Sequence, residues 1–276
     1  MTPAQQEARE QLLSQEGFSV KVITRNLSAP LNILYGPDDT LWITERVGKD
    51  IVRIDPINGT LLSSFSIPNV NQSAGQDGLL GMAFDPNFNN THHIYVAYTY
   101  EENSGGKEPD LKTKITRFTV DLTTNNISEP LDLITGLSGS SDHNSGRMTF
   151  GPDGKLYYTI GDQGKNQLVL ACSNNLAQHL PTAEQVGAKN WSTYEGKVLR
   201  MNPDGSIPDD NPVINGVQSH IYTYGHRNAQ GIAAGPNGDL YVAEHGDNSE
   251  DEINRLQAGG NYGWPYVSGY IDNKAY

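Results

Sequence analysis

The sequence holds a single cysteine, Cys172, among 276 residues. That excludes an internal disulfide and any metal site built from several thiolates. No apolar run approaches the length of a membrane-spanning helix. Met1-Thr2-Pro3-Ala4-Gln5 leads into charged residues without an apolar stretch, so no secretory signal is written at this end. An exported chain after processing and a cytoplasmic chain both fit such a start. Basic residues are few. Against 32 Asp and Glu stand 19 Lys and Arg, giving a formal charge of −13 and a pI near 4.8. An acidic surface of this kind argues against nucleic acid and anionic membranes as partners, and accommodates cations and neutral small molecules. No serine sits in a nucleophile elbow, so acyl-enzyme chemistry is not indicated.

Glycine and proline are plentiful instead, at 29 and 15 residues, and they recur in a phrase. Its full copies are Gly36-Pro37-Asp38-Asp39-Thr40-Leu41-Trp42, Gly151-Pro152-Asp153-Gly154-Lys155-Leu156-Tyr157 and Gly235-Pro236-Asn237-Gly238-Asp239-Leu240-Tyr241. A looser copy, Asp85-Pro86-Asn87-Phe88 leading to Ile94-Tyr95-Val96, lies between the first two. Proline fixes φ for the second position of a tight turn, and Asp, Asn and Gly suit the positions after it. Apolar β-rich runs on both sides make each copy a predicted hairpin. Further strands are predicted at residues 51–54, 115–120, 197–201 and 252–256. Strand pairs recurring in this way predict an all-β propeller, with a β-sandwich as the competing architecture. Four copies of the phrase account for about four blades. Residues 1–17 read as a short polar helical segment and residues 18–276 as the propeller domain.

The phrase also serves as a ruler. Some eight or nine positions before each turn lies a polar loop: Gly75-Gln76-Asp77-Gly78, Ser141-Asp142-His143-Asn144 and His226-Arg227-Asn228-Ala229-Gln230. The strands return to the same face at Gly161-Asp162-Gln163-Gly164 and His245-Gly246-Asp247-Asn248. In a propeller such loops surround the axis on one face, so residues distant in sequence converge. Asp142 beside His143 can orient an imidazole for proton abstraction. Arg227 can stabilise negative charge developing on an oxygen, and Gln76 and Asn228 supply orienting hydrogen bonds. An inter-blade salt bridge is the plain alternative for Arg227, and His92, His93, His179 and His220 read as hydrogen-bonding residues. The acidic run Asp247-Asn248-Ser249-Glu250-Asp251-Glu252 is either a hard-cation site suited to Ca²⁺ or a solvated turn.

These loops resemble, in order and spacing from about Phe18 to Tyr270, the soluble pyrroloquinoline-quinone (PQQ) glucose dehydrogenases of the wider glucose/sorbosone dehydrogenase family. The resemblance runs through Gly75–Gly81, Asp142–Arg147, Tyr158–Gly164, Gly225–Gly231, Asp251–Asn254 and Gly259–Pro265. It implies a six-bladed propeller that binds PQQ and Ca²⁺ and oxidises aldose sugars at C1 to lactones. On that pattern His143 is the general base, Asp142 its orienting partner and Arg227 the neighbour of the developing quinone oxyanion. Gln76 and Asn228 contact cofactor or substrate. Gly246 and Asp247 hold the Ca²⁺ on PQQ through backbone carbonyls, although the family pattern has proline where this chain has Asp247. Glu252, Tyr262, Ser268, Tyr270 and Asp272 match positions around a second, structural Ca²⁺. The resemblance further implies an external electron acceptor, a periplasmic or secreted location and a homodimer.

The family's last two blades, with a lysine and several arginines that pair with PQQ carboxylates, have no counterpart in these residues. The 276 residues therefore read as the N-terminal part of a longer chain, expected to show little or no activity alone. Two rival readings are a Ca²⁺-dependent lactonase-type propeller, using carboxylates and a metal-bound water, and a propeller that only binds partners.

Overall fold

The computed structural model describes residue 6 and residues 19–73, 75–103, 110–165 and 172–269. The predicted N-terminal helix lies almost wholly outside the described residues, as do Tyr270 and Asp272.

The recurring phrase builds one turn three times. The N–H of its first glycine donates to the carbonyl four residues on, at 2.7 Å from Gly36 to Thr40, 2.9 Å from Gly151 to Lys155 and 2.7 Å from Gly235 to Asp239. The N–H of the fourth residue returns to that glycine's carbonyl. This fourth position is left-handed, with φ of 59° at Asp39, 70° at Gly154 and 82° at Gly238. Glycine adopts such a φ without steric cost, and aspartate tolerates it better than most residues. The loose copy departs here: Phe88–Thr91 winds into a single helical turn, α1, closed by His92 at φ 52°.

The turns join strands into four antiparallel meanders. The first contains β1 (Pro30–Tyr35), β2 (Leu41–Glu45), β3 (Asp50–Ile54) and β4 (Leu61–Ser66). The second contains β5 (Leu79–Phe84), β6 (His93–Glu101), β7 (Leu111–Asp121) and β8 (Asn126–Ser138). In the third, β9 (Met148–Phe150), β10 (Leu156–Ile160) and β11 (Lys197–Met201) are followed by a separate hairpin, β12 (Val213–Ile214) and β13 (Val217–Gln218), before β14 (Ile221–Tyr224) completes the sheet. A short helix, α2 (Ala183–Gly187), lies in the connection between β10 and β11, its start closed by a Thr182–Gln185 capping box. The fourth sheet has β15 (Ala229–Ala234), β16 (Leu240–Glu244) and β17 (Glu252–Arg255).

The first strands of successive sheets pack side by side, β1 on β5, β5 on β9 and β9 on β15. Backbone bonds stitch neighbouring sheets together: Gln76 N–H to Ser141 O at 2.7 Å, Gly81 N–H to Gly146 O at 2.9 Å and Asp162 N–H to Arg227 O at 2.8 Å. This is a propeller arrangement of four blades. Apolar side chains fill the spaces between blades. Trp42, Phe65, Met82 and Phe118 lie between the first and second, Tyr95, Tyr158, Leu199 and Met201 between the second and third, and Tyr157, Val198 and Val242 between the third and fourth. Covered on both faces, β10 and β11 are buried at every residue and show no in–out alternation.

One device recurs in every blade. An aromatic residue on the second strand pairs with an arginine on the third: Trp42 with Arg53, Tyr95 with Arg117, Tyr157 with Arg200 and Tyr241 with Arg255. An aspartate from the turn bonds both members in the first and third blades and one of them in the second and fourth. Asp38 accepts from Trp42 Nε1 and Arg53 Nε, each at 3.0 Å. Asp85 accepts from Tyr95 Oη at 3.2 Å, and Asp153 from Tyr157 Oη at 2.8 Å and Arg200 Nε at 3.0 Å. Asp239 accepts from Arg255 at 2.9 Å.

Candidate active site

The three loops found with the ruler do precede the innermost strands of adjacent blades: Gln76 before β5, Asp142 and His143 before β9, and Arg227 and Asn228 before β15. The His143 loop is tightly folded. Asn144 bonds both backbone groups of Ser140, receiving its N–H at 3.0 Å and donating to its carbonyl at 2.6 Å. His143 and Ser145 take left-handed φ values of 46° and 53°. The returning strand comes so close that a Cβ at Gly161 would lie 2.0 Å from the His143 carbonyl, which only glycine avoids.

His143 is buried, and its Nδ1 lies 2.7 Å from Asp162 Oδ1. Asp162 is fully buried and accepts three further bonds, from Gly164 N–H at 3.0 Å, Asn175 Nδ2 at 2.9 Å and Trp264 Nε1 at 2.8 Å. A carboxylate that accepts from all four donors puts the proton of a neutral His143 on Nδ1, so Nε2 presents a lone pair. Here the geometry corrects the sequence reading. The carboxylate bonded to the ring is Asp162, not Asp142. Asp142 Oδ1 is 3.9 Å from Nε2 and instead accepts the His143 backbone N–H at 2.9 Å.

A signal for Asp162 exists in the sequence. The returning ends of the first and fourth blades also carry carboxylates, Glu45 and Glu244, and each grips the loop facing it. Glu45 accepts from Ser28 N–H at 2.7 Å, while Glu244 accepts from the Arg227 N–H and lies 2.8 Å from His226 Nδ1. Unlike His143, His226 has both ring nitrogens engaged, its Nε2 lying 2.8 Å from Thr223 Oγ1, and its ring stacks on Tyr262.

Trp264 connects the His143 loop to Arg227. Its Nε1 bonds Asp162, and the Arg227 guanidinium lies 5.5 Å from the centre of its ring. Arg227 also donates to the His245 carbonyl at 3.1 Å and approaches Asp247 Oδ1 at 3.4 Å. Asn228 is buried and its Oδ1 accepts from Ser145 Oγ at 3.1 Å, a second bridge to the His143 loop. Gln76 is placed by its backbone bond to Ser141, and its side chain is exposed.

Of the residues expected around cations, Gly246, Glu252, Tyr262 and Ser268 line one cleft beside Arg227, with Glu250 among its other walls, whereas Asp247 does not line it. Its candidate donors there are oxygens, the set Ca²⁺ takes. The Gly246 carbonyl accepts from His245 Nδ1 at 2.6 Å, which leaves a second lone pair. Glu252 accepts from Gly269 N–H at 2.9 Å, and the Tyr262 phenol is committed to the Arg255 carbonyl at 2.6 Å. Among the described residues, no group of three His, Cys, Asp or Glu is poised around one point. A cation here would therefore rely on backbone carbonyls. The Arg227 guanidinium also lines this cleft, a donor suited to an anionic oxygen.

Comparison with known proteins agrees with this arrangement. The family model described as Glucose / Sorbosone dehydrogenase matches residues 27–275. The chain is 51% identical over 263 residues to quinoprotein glucose dehydrogenase B of Acinetobacter calcoaceticus, covering 95% of this chain and 55% of that protein. It is 29% identical to an aldose sugar dehydrogenase of Escherichia coli K12, covering 91% of this chain and 62% of the other. The PQQ-bound structure of the aldose sugar dehydrogenase from Streptomyces coelicolor superposes with a TM-score of 0.73 at 30% identity, covering 91% of this chain and 66% of that one. The chain thus spans little more than half the length of the curated relatives it matches. With the propeller, the paired loops and the family match in agreement, the chain belongs to the glucose/sorbosone dehydrogenase family.

Proposed function

We propose that the whole protein is a quinoprotein aldose dehydrogenase that oxidises a sugar at C1 to its lactone, with His143 as general base. The observation that carries this reading is the His143–Asp162 pair: a buried imidazole whose Nδ1 is engaged at 2.7 Å and whose Nε2 is left as an acceptor. When bound, PQQ supplies the quinone that accepts the C1 hydride. His143 Nε2 takes the C1 hydroxyl proton, and the Asp162 carboxylate stabilises the imidazolium that forms. Arg227, held by Trp264 and the His245 carbonyl, would supply positive charge to stabilise an oxyanion on the bound quinone. Asn228 and Gln76 orient cofactor or sugar. The backbone carbonyls of Gly246 and Asp247 would hold a Ca²⁺, which would supply Lewis-acid polarisation of the quinone. Glu252, Tyr262 and Ser268, with Tyr270 and Asp272, would hold a second Ca²⁺. The relatives named quinoprotein glucose dehydrogenase and aldose sugar dehydrogenase support the substrate class.

The test is dye reduction by the whole protein, reconstituted with PQQ and Ca²⁺ and supplied with aldoses. Turnover is expected, and EDTA present during reconstitution should abolish it. Absence of dye reduction with every aldose would sink the assignment.

A further inference from the structure

Lys197 opens β11 and is completely buried, yet it forms no salt bridge among the described residues. Its Nζ donates to three backbone carbonyls, those of Glu195 at 2.6 Å, Ala177 at 2.8 Å and Leu176 at 3.0 Å. Three acceptors match the three hydrogens of an ammonium group. Burial disfavours the cation and pushes Lys197 down to about 7. The three carbonyls offset that cost, and two of them belong to a segment that reaches the candidate active site.

That segment is residues 175–178. Asn175 Nδ2 donates to Asp162 Oδ2 at 2.9 Å. Gln178 and Asn261 exchange amide bonds of 2.9 and 2.8 Å, and Gln178 donates to the Trp264 carbonyl at 2.7 Å. Trp264 Nε1 is the other donor to Asp162 Oδ2, at 2.8 Å. Both bonds that fix this oxygen therefore lead back to the segment that Lys197 holds. The remaining oxygen, Oδ1, faces His143.

We propose that Lys197 and Asn175 are positioning residues for the Asp162–His143 pair: Lys197 draws the 176–177 backbone onto blade three, and the fixed segment holds Asp162 Oδ2 so that Oδ1 stays on His143 Nδ1. The proposal rests on His143 being the base, but its first test does not. In protein carrying ¹⁵N-histidine, the His143 Nδ1–H resonance is protected by its buried bond to Asp162. Asn175→Ala and Lys197→Met should each broaden or remove it without sugar or cofactor present. In the whole reconstituted protein, the same variants should lower kcat by about 10²-fold with KM little changed, as expected when a reacting group is misplaced by a fraction of its geometry. Asn174→Ala, an exposed control one residue away, should change neither readout. Should Lys197→Met fail to fold, Asn175→Ala tests the same link from a half-buried position. A variant with native circular dichroism, an unaltered Nδ1–H resonance and normal kcat would overturn the proposal. A lost resonance with normal kcat would uphold the positioning role and remove His143 from the role of base.

Discussion

Asp142 and Asp162 stand at opposite edges of the His143 ring. Asp142 is the sequence neighbour, but its carboxylate lies 3.9 Å from Nε2, beyond bonding distance. Asp162 lies 19 residues further along and bonds Nδ1 at 2.7 Å. The consequence is testable. Asp162→Asn replaces an acceptor of four bonds with a group that must donate one, which forces the ring toward the wrong tautomer. Its kcat should fall by about 10²-fold or more, with PQQ still bound. Asp142→Asn keeps an oxygen for the His143 backbone N–H and should cost far less. Steady-state dye reduction by both variants decides the matter, and equal losses would return the orienting role to Asp142. His143→Ala should be at least as damaging as Asp162→Asn, and near-normal turnover would exclude it as the base.

At the scale of the element, the blade hairpins show what a sequence can and cannot disclose. The phrase around Gly36, Gly151 and Gly235 was legible because turn chemistry is local: proline at the second position and a left-handed fourth residue. The arginine that completes each turn was not legible. Arg53, Arg117, Arg200 and Arg255 meet their aromatic partners only through strand register, which a turn motif does not encode. Asp162 escaped for the same reason, since its partner is fixed by how two loops face each other. Burial ranks these triads. The Arg200 side chain is 5% exposed beside Asp153, whereas Arg255 is 57% exposed beside Asp239. Asp153→Ala should therefore destabilise by about 1.5–3 kcal/mol, the range for bonds to buried charged groups. Asp239→Ala should cost about 0–1 kcal/mol. Urea midpoints measure both, and equal losses would show that the triads do not work through burial.

Across the whole molecule, the loops before β5, β9 and β15 converge because each blade starts at the same place in the ring. The ruler could find Gln76, His143 and Arg227 without knowing the fold's contacts. It could not find the support behind them, because Lys197, Asn175 and Trp264 belong to connections of unequal length that no repeat predicts. Lys197 also gives the molecule a distinctive response to pH. Its folded value of about 7 lies below the ordinary lysine range, so between the two the unfolded chain binds a proton that the folded chain does not. Protonation then favours the unfolded state, and this group's contribution to stability is lost as pH falls from the lysine range toward 7. Below about 7 both states carry the proton and the contribution is flat. Tyrosines with raised values oppose this only at pH above about 10, where unfolded tyrosine ionises. Urea midpoints measured from pH 7 to pH 10 should therefore rise more steeply in the parent protein than in Lys197→Met, which lacks the titrating group. Parallel profiles would mean that Lys197 remains charged throughout, with its three carbonyls outweighing burial.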